Sequence, residues 1–440
     1  MNRKILALAL PNIISSISVP FIGIVDMALM GRMPTPDYIG GVALGSLILN
    51  FIYWGFGFLR FGTSGFTSQA LGRRDLKEAF HILVRSSFLG FACGLALLLL
   101  SIPLAGLGFR ILHGQEAVEE LGLTYFMIKI LAAPASLVQF SMFGWFIGMQ
   151  NSKIPMIVSL VANTVNILLS ILFVTLLDAG IKGVAWGYVA GQYTGLGMTL
   201  LLYFRHFGKL SRYWNTVQSF SLSKFKEYMT VNRDIFVRTM CIIFVFSFFT
   251  AESAAADSRQ DASETLLAVN SILMQFFMFF SFVIDGFAQA AEALAGRFIG
   301  AGDREKLGAM IKLTFTWSAV ISLVFTISYI TGGDRILRLL TDNSQIISNA
   351  DPYRIWISAI PIVSFSAFLW DGIYIGATAG KAIRNSMLIS TAFVFFPAWI
   401  VLGRLVGNHG LWIAFILFML SRSLTLQLMA RKAIFGRIVT

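Results

Sequence analysis

Apolar residues in this chain gather into long unbroken runs rather than alternating with polar ones. Uncharged runs cover residues 5–25, 38–59, 86–109, 130–152, 154–177 and 183–204. A polar segment, 205–233, interrupts the series. Further runs follow at roughly 235–256, 265–284, 313–333, 355–370, 385–403 and 405–421. About 20 helical residues cross the hydrocarbon core of a bilayer. Each run approaches or exceeds that length, the shorter ones by extending past a flanking charge. A membrane β-barrel would instead show short alternating segments. The pattern predicts an all-α polytopic membrane protein with about twelve transmembrane helices.

The order of the runs also repeats. Gly72-Arg73-Arg74-Asp75 matches Gly300-Ala301-Gly302-Asp303, an offset of 228 positions. Gly144-Trp145-Phe146-Ile147-Gly148 matches Gly372-Ile373-Tyr374-Ile375-Gly376, and Lys153 matches Lys381, at the same 228. Pro134 and Pro361 stand 227 apart. A shared offset predicts two homologous halves of six spans each. An even number of spans makes both halves enter the membrane in the same sense, the parallel repeat found among transporters. The predicted division is a first lobe 1–207, a cytoplasmic linker 208–232 and a second lobe 233–440. The basic linker is expected to be solvated and to face lipid headgroups.

Composition agrees with the pattern. The 440 residues are 57% hydrophobic and only 13% charged, with 41 Phe and 17 Met, whereas a soluble domain is nearer a quarter charged. The net charge of +12 does not point to nucleic acid, because basic residues fall in alternate loops. Arg3/Lys4, Arg73/Arg74, Lys153, the 205–233 segment, 297–312, Lys381/Arg384 and Arg431/Lys432 share one side. Asp37, Glu116/Glu119/Glu120, Asp178, Asp257/Asp261/Glu264 and Asp342/Asp351 share the other. The positive-inside rule then places both termini in the cytoplasm. The start, basic then apolar, lacks a convincing signal-peptide cleavage site and is expected to remain as the first helix. Cys93 and Cys241 lie in apolar runs and read as packing residues rather than a disulfide.

Catalytic patterns are missing. There is no phosphate-cradling Gly-x4-Gly-Lys-Ser/Thr loop and no Gly-x-Ser-x-Gly elbow. The histidines His81, His113, His206 and His409 are scattered, without metal-ligand spacing. What remains is a set of carboxylates inside or at the edge of spans: Asp26, Glu252, Asp285, Glu292 and Asp371. A carboxylate in hydrocarbon costs about 2.5–3.5 kcal/mol on insertion scales, so such residues default to function. Asp26 follows directly on the run 5–25 and is the strongest candidate for a proton carrier. Asp285 and Glu292 are seven apart, on one helix face. Asn163, Asn166 and Ser170 form a polar stripe at helical spacing and offer partners for Asp26, as does Tyr188. Pro11, inside the first span, removes a backbone hydrogen bond and permits a bend.

These motifs resemble the multidrug and toxic compound extrusion (MATE) family of the MOP superfamily. The first helix contributes Pro11 and Asp26-Met-Ala-Leu-Met-Gly31; Gly41-Val-Ala-Leu-Gly45, Asn163-Thr-Val-Asn166 and Gly180-Ile-Lys-Gly183-Val-Ala185 continue the match. In the second half, Ala268-Val-Asn270, Asp285-Gly-Phe-Ala-Gln-Ala-Ala-Glu292 and Trp370-Asp371-Gly-Ile-Tyr-Ile-Gly376 are similar to the DNA-damage-inducible F (DinF) subfamily. The resemblance implies two pseudo-symmetric six-helix lobes in a bacterial inner membrane. It implies export of amphipathic, often cationic compounds by a monomer, in antiport with protons or sodium, without any cofactor beyond the coupling ion. The family's first-helix acid maps onto Asp26 and its span-five asparagine onto Asn166. Where some relatives carry a second acid this chain has Ser170, and where some carry a threonine it has Tyr188. That departure favours proton coupling at a single acid, Asp26, over sodium. Sodium coupling through the second-lobe acids Asp371, Glu252 or Asp285, a lipid-linked precursor flippase and a membrane scaffold subunit are the rival readings. A flippase would want Arg inside the spans for pyrophosphate, and few are expected there.

Overall fold

The computed structural model describes residues 1–112, 114–259 and 265–437. His113 and the loop acids Asp261 and Glu264 lie outside the described residues. The described chain is helical, without strands. Its long helices are α1 (Asn2–Met30), α2 (Asp37–Gly72), α3 (Leu76–Leu99), α4 (Glu116–Gly148), α5 (Lys153–Thr175) and α6 (Gly180–Phe207). Then follow α7 (Leu222–Arg259), α8 (Thr265–Gly300), α9 (Arg304–Leu340), α10 (Ser344–Gly376), α11 (Gly380–Val406) and α12 (Asn408–Ala433). A short helix, Ser101–Leu112, prolongs α3.

Among the described residues, eleven helical segments are long and apolar enough to cross a membrane. The remaining one, α6, has 28 residues and owes its lower hydropathy to a glycine seam. A Cβ at Gly187 would fall 2.3 Å from Ser170 Oγ, and one at Gly191 2.7 Å from the Ala162 carbonyl oxygen. The seam lets α6 lie directly on α5, the close approach that small residues at four-residue spacing allow in lipid.

Amphipathicity is inverted. In α9, Thr314, Ser318, Ser322 and Thr326 form a buried stripe at four-residue spacing, while Val320, Leu323, Val324, Ile327 and Ile330 are exposed. Three of the four hydroxyls donate to backbone carbonyls: Thr314 Oγ1 to Met310, Ser322 Oγ to Ser318 and Thr326 Oγ1 to Ser358. A surface that is apolar outside and polar within suits a lipid solvent.

The 228-residue repeat persists in the backbone. After α2, the Asp75 amide donates to the Ala70 carbonyl at 2.9 Å; after α8, Asp303 donates to Phe298 at 2.9 Å. The same turn carries Arg74 at φ 60° and Gly302 at φ 70°. Asp75 and Asp303 then cap α3 and α9 by accepting from the Glu78 and Lys306 amides at 2.9 and 3.0 Å. After α4 and α10, the Asn151 amide donates to Phe146 and the Ala379 amide to Tyr374, with Gln150 and Thr378 both at positive φ. A Cβ on Gly144 would stand 2.2 Å from the Arg60 carbonyl oxygen, and one on Gly372 2.2 Å from that of Ala288. Both packings require glycine.

The structure redraws several boundaries. It divides into one compact unit of Leu10–Asn232 and a second of Met1–Ala9 with Arg233–Thr440. The expected linker 208–232 belongs to the first unit. Its Ser219 is buried and meets His81 Nδ1 at 2.8 Å, and its Tyr228 hydroxyl lies 2.7 Å from Thr63 Oγ1. The surrounding Lys and Arg concealed these anchors from a hydropathy reading. Runs bounded by charge were also too short. Helix α3 begins at Leu76 and buries Arg85 against Glu78 at 2.7 Å. Helix α8 continues through Asp285 and Glu292, and α4 begins before Lys129. Charges remain within a membrane helix where a neighbour supplies the opposite charge or a hydrogen bond.

Candidate functional site

In the first unit, α1 brings Asp26 near its C-terminal end, where only 3% of the residue is exposed. Two prolines, Pro11 and Pro20, lie inside this helix. Each removes an i→i−4 hydrogen bond, and Pro20 is the one closer to Asp26. Across from it, α4 presents Tyr125 and Lys129, one turn apart. The Tyr125 hydroxyl donates to Asp26 Oδ2 over a long 3.5 Å. It accepts from Lys129 Nζ at 2.5 Å and from Ser46 Oγ at 3.2 Å. Lys129 Nζ also stands 4.7 Å from the centre of the Tyr125 ring and 4.3 Å from that of Tyr188. Lys129 is 9% exposed, and its charge acts on Asp26. The result is a buried carboxylate, a tyrosyl bridge and an ammonium between two aromatic faces.

The polar stripe of α5 lies elsewhere than expected. Asn163 Nδ2 donates to Ser18 Oγ at 2.9 Å, and Ser15 bonds Ser159 at 3.0 Å. Ser170 Oγ donates to Asn166 Oδ1 at 3.1 Å. None of the three stripe residues hydrogen-bonds Asp26 among the described residues. The stripe meets α1 about two turns before the carboxylate, where Ser15 and Ser18 supply the matching hydroxyls.

In the second unit, α10 buries Asp371 between two arginines. Arg238 Nη2 from α7 donates to Asp371 Oδ2 at 2.5 Å, and Arg422 Nη2 from α12 donates to the same oxygen. Asp285, half-buried on α8, adds its field at Arg422. Glu292, two turns further along α8, is buried, and its carbonyl oxygen would lie 2.2 Å from a Cβ on Gly376. Glu252 lies apart from these groups. With Trp399, Arg404 and Asn408 it lines an open cavity of about 610 Å³ where α7 and α11 end and α8 and α12 begin. Behind the cavity Asn408 and Asn270 exchange amide hydrogen bonds at 2.8 and 3.0 Å, and Trp412 Nε1 donates to Asn270 Oδ1 at 3.0 Å.

Each unit thus contains a related helical frame with its own buried charges. The sequence pattern of the MatE family matches residues 11–172 and 237–400, once in each unit. The chain belongs to the MatE family. This MatE chain is 33% identical to DNA damage-inducible protein F of Escherichia coli (strain K12), over 98% of its own length and 92% of that protein. It is 25% identical to multidrug and toxin extrusion protein 1 of Danio rerio, over 94% of itself and 69% of the other. Its backbone is similar to that of an outward-facing multidrug resistance MATE family transporter of the MOP superfamily. The TM-score is 0.88 at 18% identity, over 99% of this chain and 96% of that one. A MATE structure in a bent conformation gives 0.87 with the same identity and coverage. The MatE chain is a multi-pass membrane transporter and not an enzyme.

Three partners in these MatE sites escaped the sequence reading. Lys129 stands one residue before the run 130–152 and Arg422 one residue after 405–421. Both served there as the edges of spans. Arg238 lies inside the run 235–256, so the arginine-poor interior assumed in weighing the flippase does not hold for the second unit. For Lys129 and Arg422 the available signal is position, because each lies within a helix that its charge seems to end.

Proposed function

We propose that this MatE protein is a proton-coupled antiporter that exports lipophilic, often cationic organic compounds by alternating access, with Asp26 as its protonation switch. The observation that carries the reading is the setting of Asp26: a buried carboxylate held by one long tyrosyl hydrogen bond. So lightly held a group can change its protonation with little else to rearrange. Charged, it attracts the cationic part of a substrate; protonated, it releases it. The name of the Danio rerio relative, multidrug and toxin extrusion protein 1, supports export of toxic organic compounds. In this reading the transporter works as a monomer in the bacterial inner membrane, with both termini cytoplasmic. The Asp26 end of α1 faces outward and takes its proton there.

Sodium is the poorer partner at Asp26 and at Asp371. A sodium ion at Asp26 would meet the ammonium of Lys129, whose charge repels it. Asp371 is occupied by two guanidiniums. The test is transport by the purified chain in proteoliposomes, with proton and sodium gradients imposed separately. Export of a fluorescent lipophilic cation is expected with the proton gradient alone and lost in Asp26→Asn. Transport that needs sodium, or persists at full rate in Asp26→Asn, overturns the assignment. A chain that moves nothing when reconstituted alone supports the scaffold reading instead.

A further inference from the structure

The placement of Lys129 is chemically unusual for a primary ammonium. Such a group carries three N–H donors and seeks three acceptors. Among the described residues Lys129 Nζ hydrogen-bonds only the Tyr125 hydroxyl, at 2.5 Å. Its other close neighbours are the rings of Tyr125 and Tyr188, 4.7 and 4.3 Å from Nζ to ring centre, and the nearby charge of Asp26. One acceptor, two aromatic faces and a carboxylate make a setting better suited to an alkylated ammonium. Such a cation has fewer N–H groups to satisfy and more surface to lay on a ring face.

We propose that Tyr125, Tyr188 and Asp26 form a binding cage for alkylated ammonium groups, and that Lys129 is its tethered occupant. The inference rests on the reading that the Asp26 region handles organic cations, and it names the chemical group recognised. Without a ligand, Lys129 neutralises Asp26 from inside the cage. A substrate enters by displacing the lysine head, which its flexible four-carbon stem permits. Lys129 therefore sets specificity: it excludes small ammonium ions that cannot compete with a tethered charge. It yields to larger cations that gain apolar contact elsewhere.

The probe is tetramethylammonium, with binding read by isothermal calorimetry on the purified full chain. Wild type is expected to bind it weakly, and Lys129→Ala to bind it about tenfold more tightly or better, a difference well within measurement. Adding Asp26→Asn or Tyr188→Leu to Lys129→Ala is expected to remove the gain. Lys129→Ala that melts as a folded protein and binds no better than wild type overturns the proposal. So does a gain that survives Asp26→Asn. If Lys129→Ala does not fold, Lys129→Cys in a Cys93→Ala/Cys241→Ala background replaces it. Modification with an aminoethyl methanethiosulfonate is expected to refill the cage and block tetramethylammonium. The neutral methyl reagent is expected to leave it open, and equal effects of the two reagents overturn the proposal. An intact tetramethylammonium result beside proton-driven transport unaffected by Asp26→Asn would refute the switch and leave the cage standing.

Discussion

In the unit Leu10–Asn232 a buried carboxylate reaches one ammonium through a tyrosine; in the unit Arg233–Thr440 another receives two guanidiniums directly. The turns around them are shared to the level of single hydrogen bonds. Asp75 and Asp303 cap equivalent helices, and Gly144 and Gly372 touch equivalent carbonyls. The charges are not shared. Asp26 on α1 has no acidic counterpart 228 positions on, where Ala254 stands, and Asp371 corresponds to Phe143. Duplication preserved the frame, and each half then acquired its own charges. In the proposed reading, the carboxylate held by one hydroxyl is the one that changes its protonation. One clamped by two arginines is a fixed part of the packing.

The largest expected effects test that division of labour. Asp26→Asn should reduce proton-driven transport by on the order of a hundredfold, as for a proton-transfer group the step requires, with little change in melting temperature. Asp371→Asn should do the reverse. It takes the facing carboxylate from the buried Arg422 guanidinium, a loss of about 3–5 kcal/mol for a broken buried pair. Transport rates and thermal unfolding of the two variants side by side decide the matter. If Asp371→Asn is stable and inactive, the second unit carries the switch and the comparison inverts.

Much of the frame was legible before any coordinates. The 228-residue offset was visible because tight turns and close helix contacts demand glycine and aspartate, residue types that stand out in an apolar chain. The turn at Arg74 shows the limit of that signal. It has the same left-handed backbone as Gly302, yet arginine gives no hint of it. Asp26 was legible because nothing else near it is charged. Its partner Lys129 was not, because a hydropathy reading treats every charge as an edge. A buried lysine beside a carboxylate and two rings leaves no local mark, since its partners come from three different helices. Ser15 and Ser18 hid for the converse reason: serines in an apolar helix look like ordinary small residues until Ser159 and Asn163 face them.

Smaller effects should sharpen the symmetry of the frame. Gly144→Ala and Gly372→Ala each force a methyl against a carbonyl oxygen, and each should cost about 1–3 kcal/mol, the range for an overpacked core. Gly308→Ala, where a Cβ meets nothing within 4 Å, should instead be neutral or stabilise by up to about 1 kcal/mol through helix propensity. Unfolding in detergent distinguishes them, and unequal costs for the two packed glycines would show that the repeat has diverged in compliance. Loss of the α3 cap in Asp75→Ala should cost about 1 kcal/mol.

The smallest effect concerns the matching cap of α9. The side chain and amide of Lys306 hold the Asp303 carboxyl below its ordinary range. Because the folded value is the lower one, this contribution is complete above the ordinary carboxylate range and is lost as pH falls through the folded value. The protection factor of the Lys306 amide, its exchange measured against the intrinsic rate at each pH, should fall on acidification in wild type and be low at every pH in Asp303→Ala.

The first residues of the chain belong to its last-made unit. Ile5 and Ala9 are buried, and the Asn2 side chain accepts a hydrogen bond from Trp317, 315 positions away. At about 5–20 residues per second, a ribosome needs on the order of 15–60 s to supply that partner. Throughout that interval the opening turns of α1 must wait in the membrane without their native contacts. The opening turns of α1 are therefore a helix end whose folding is completed only after the helices up to α9 have been synthesised.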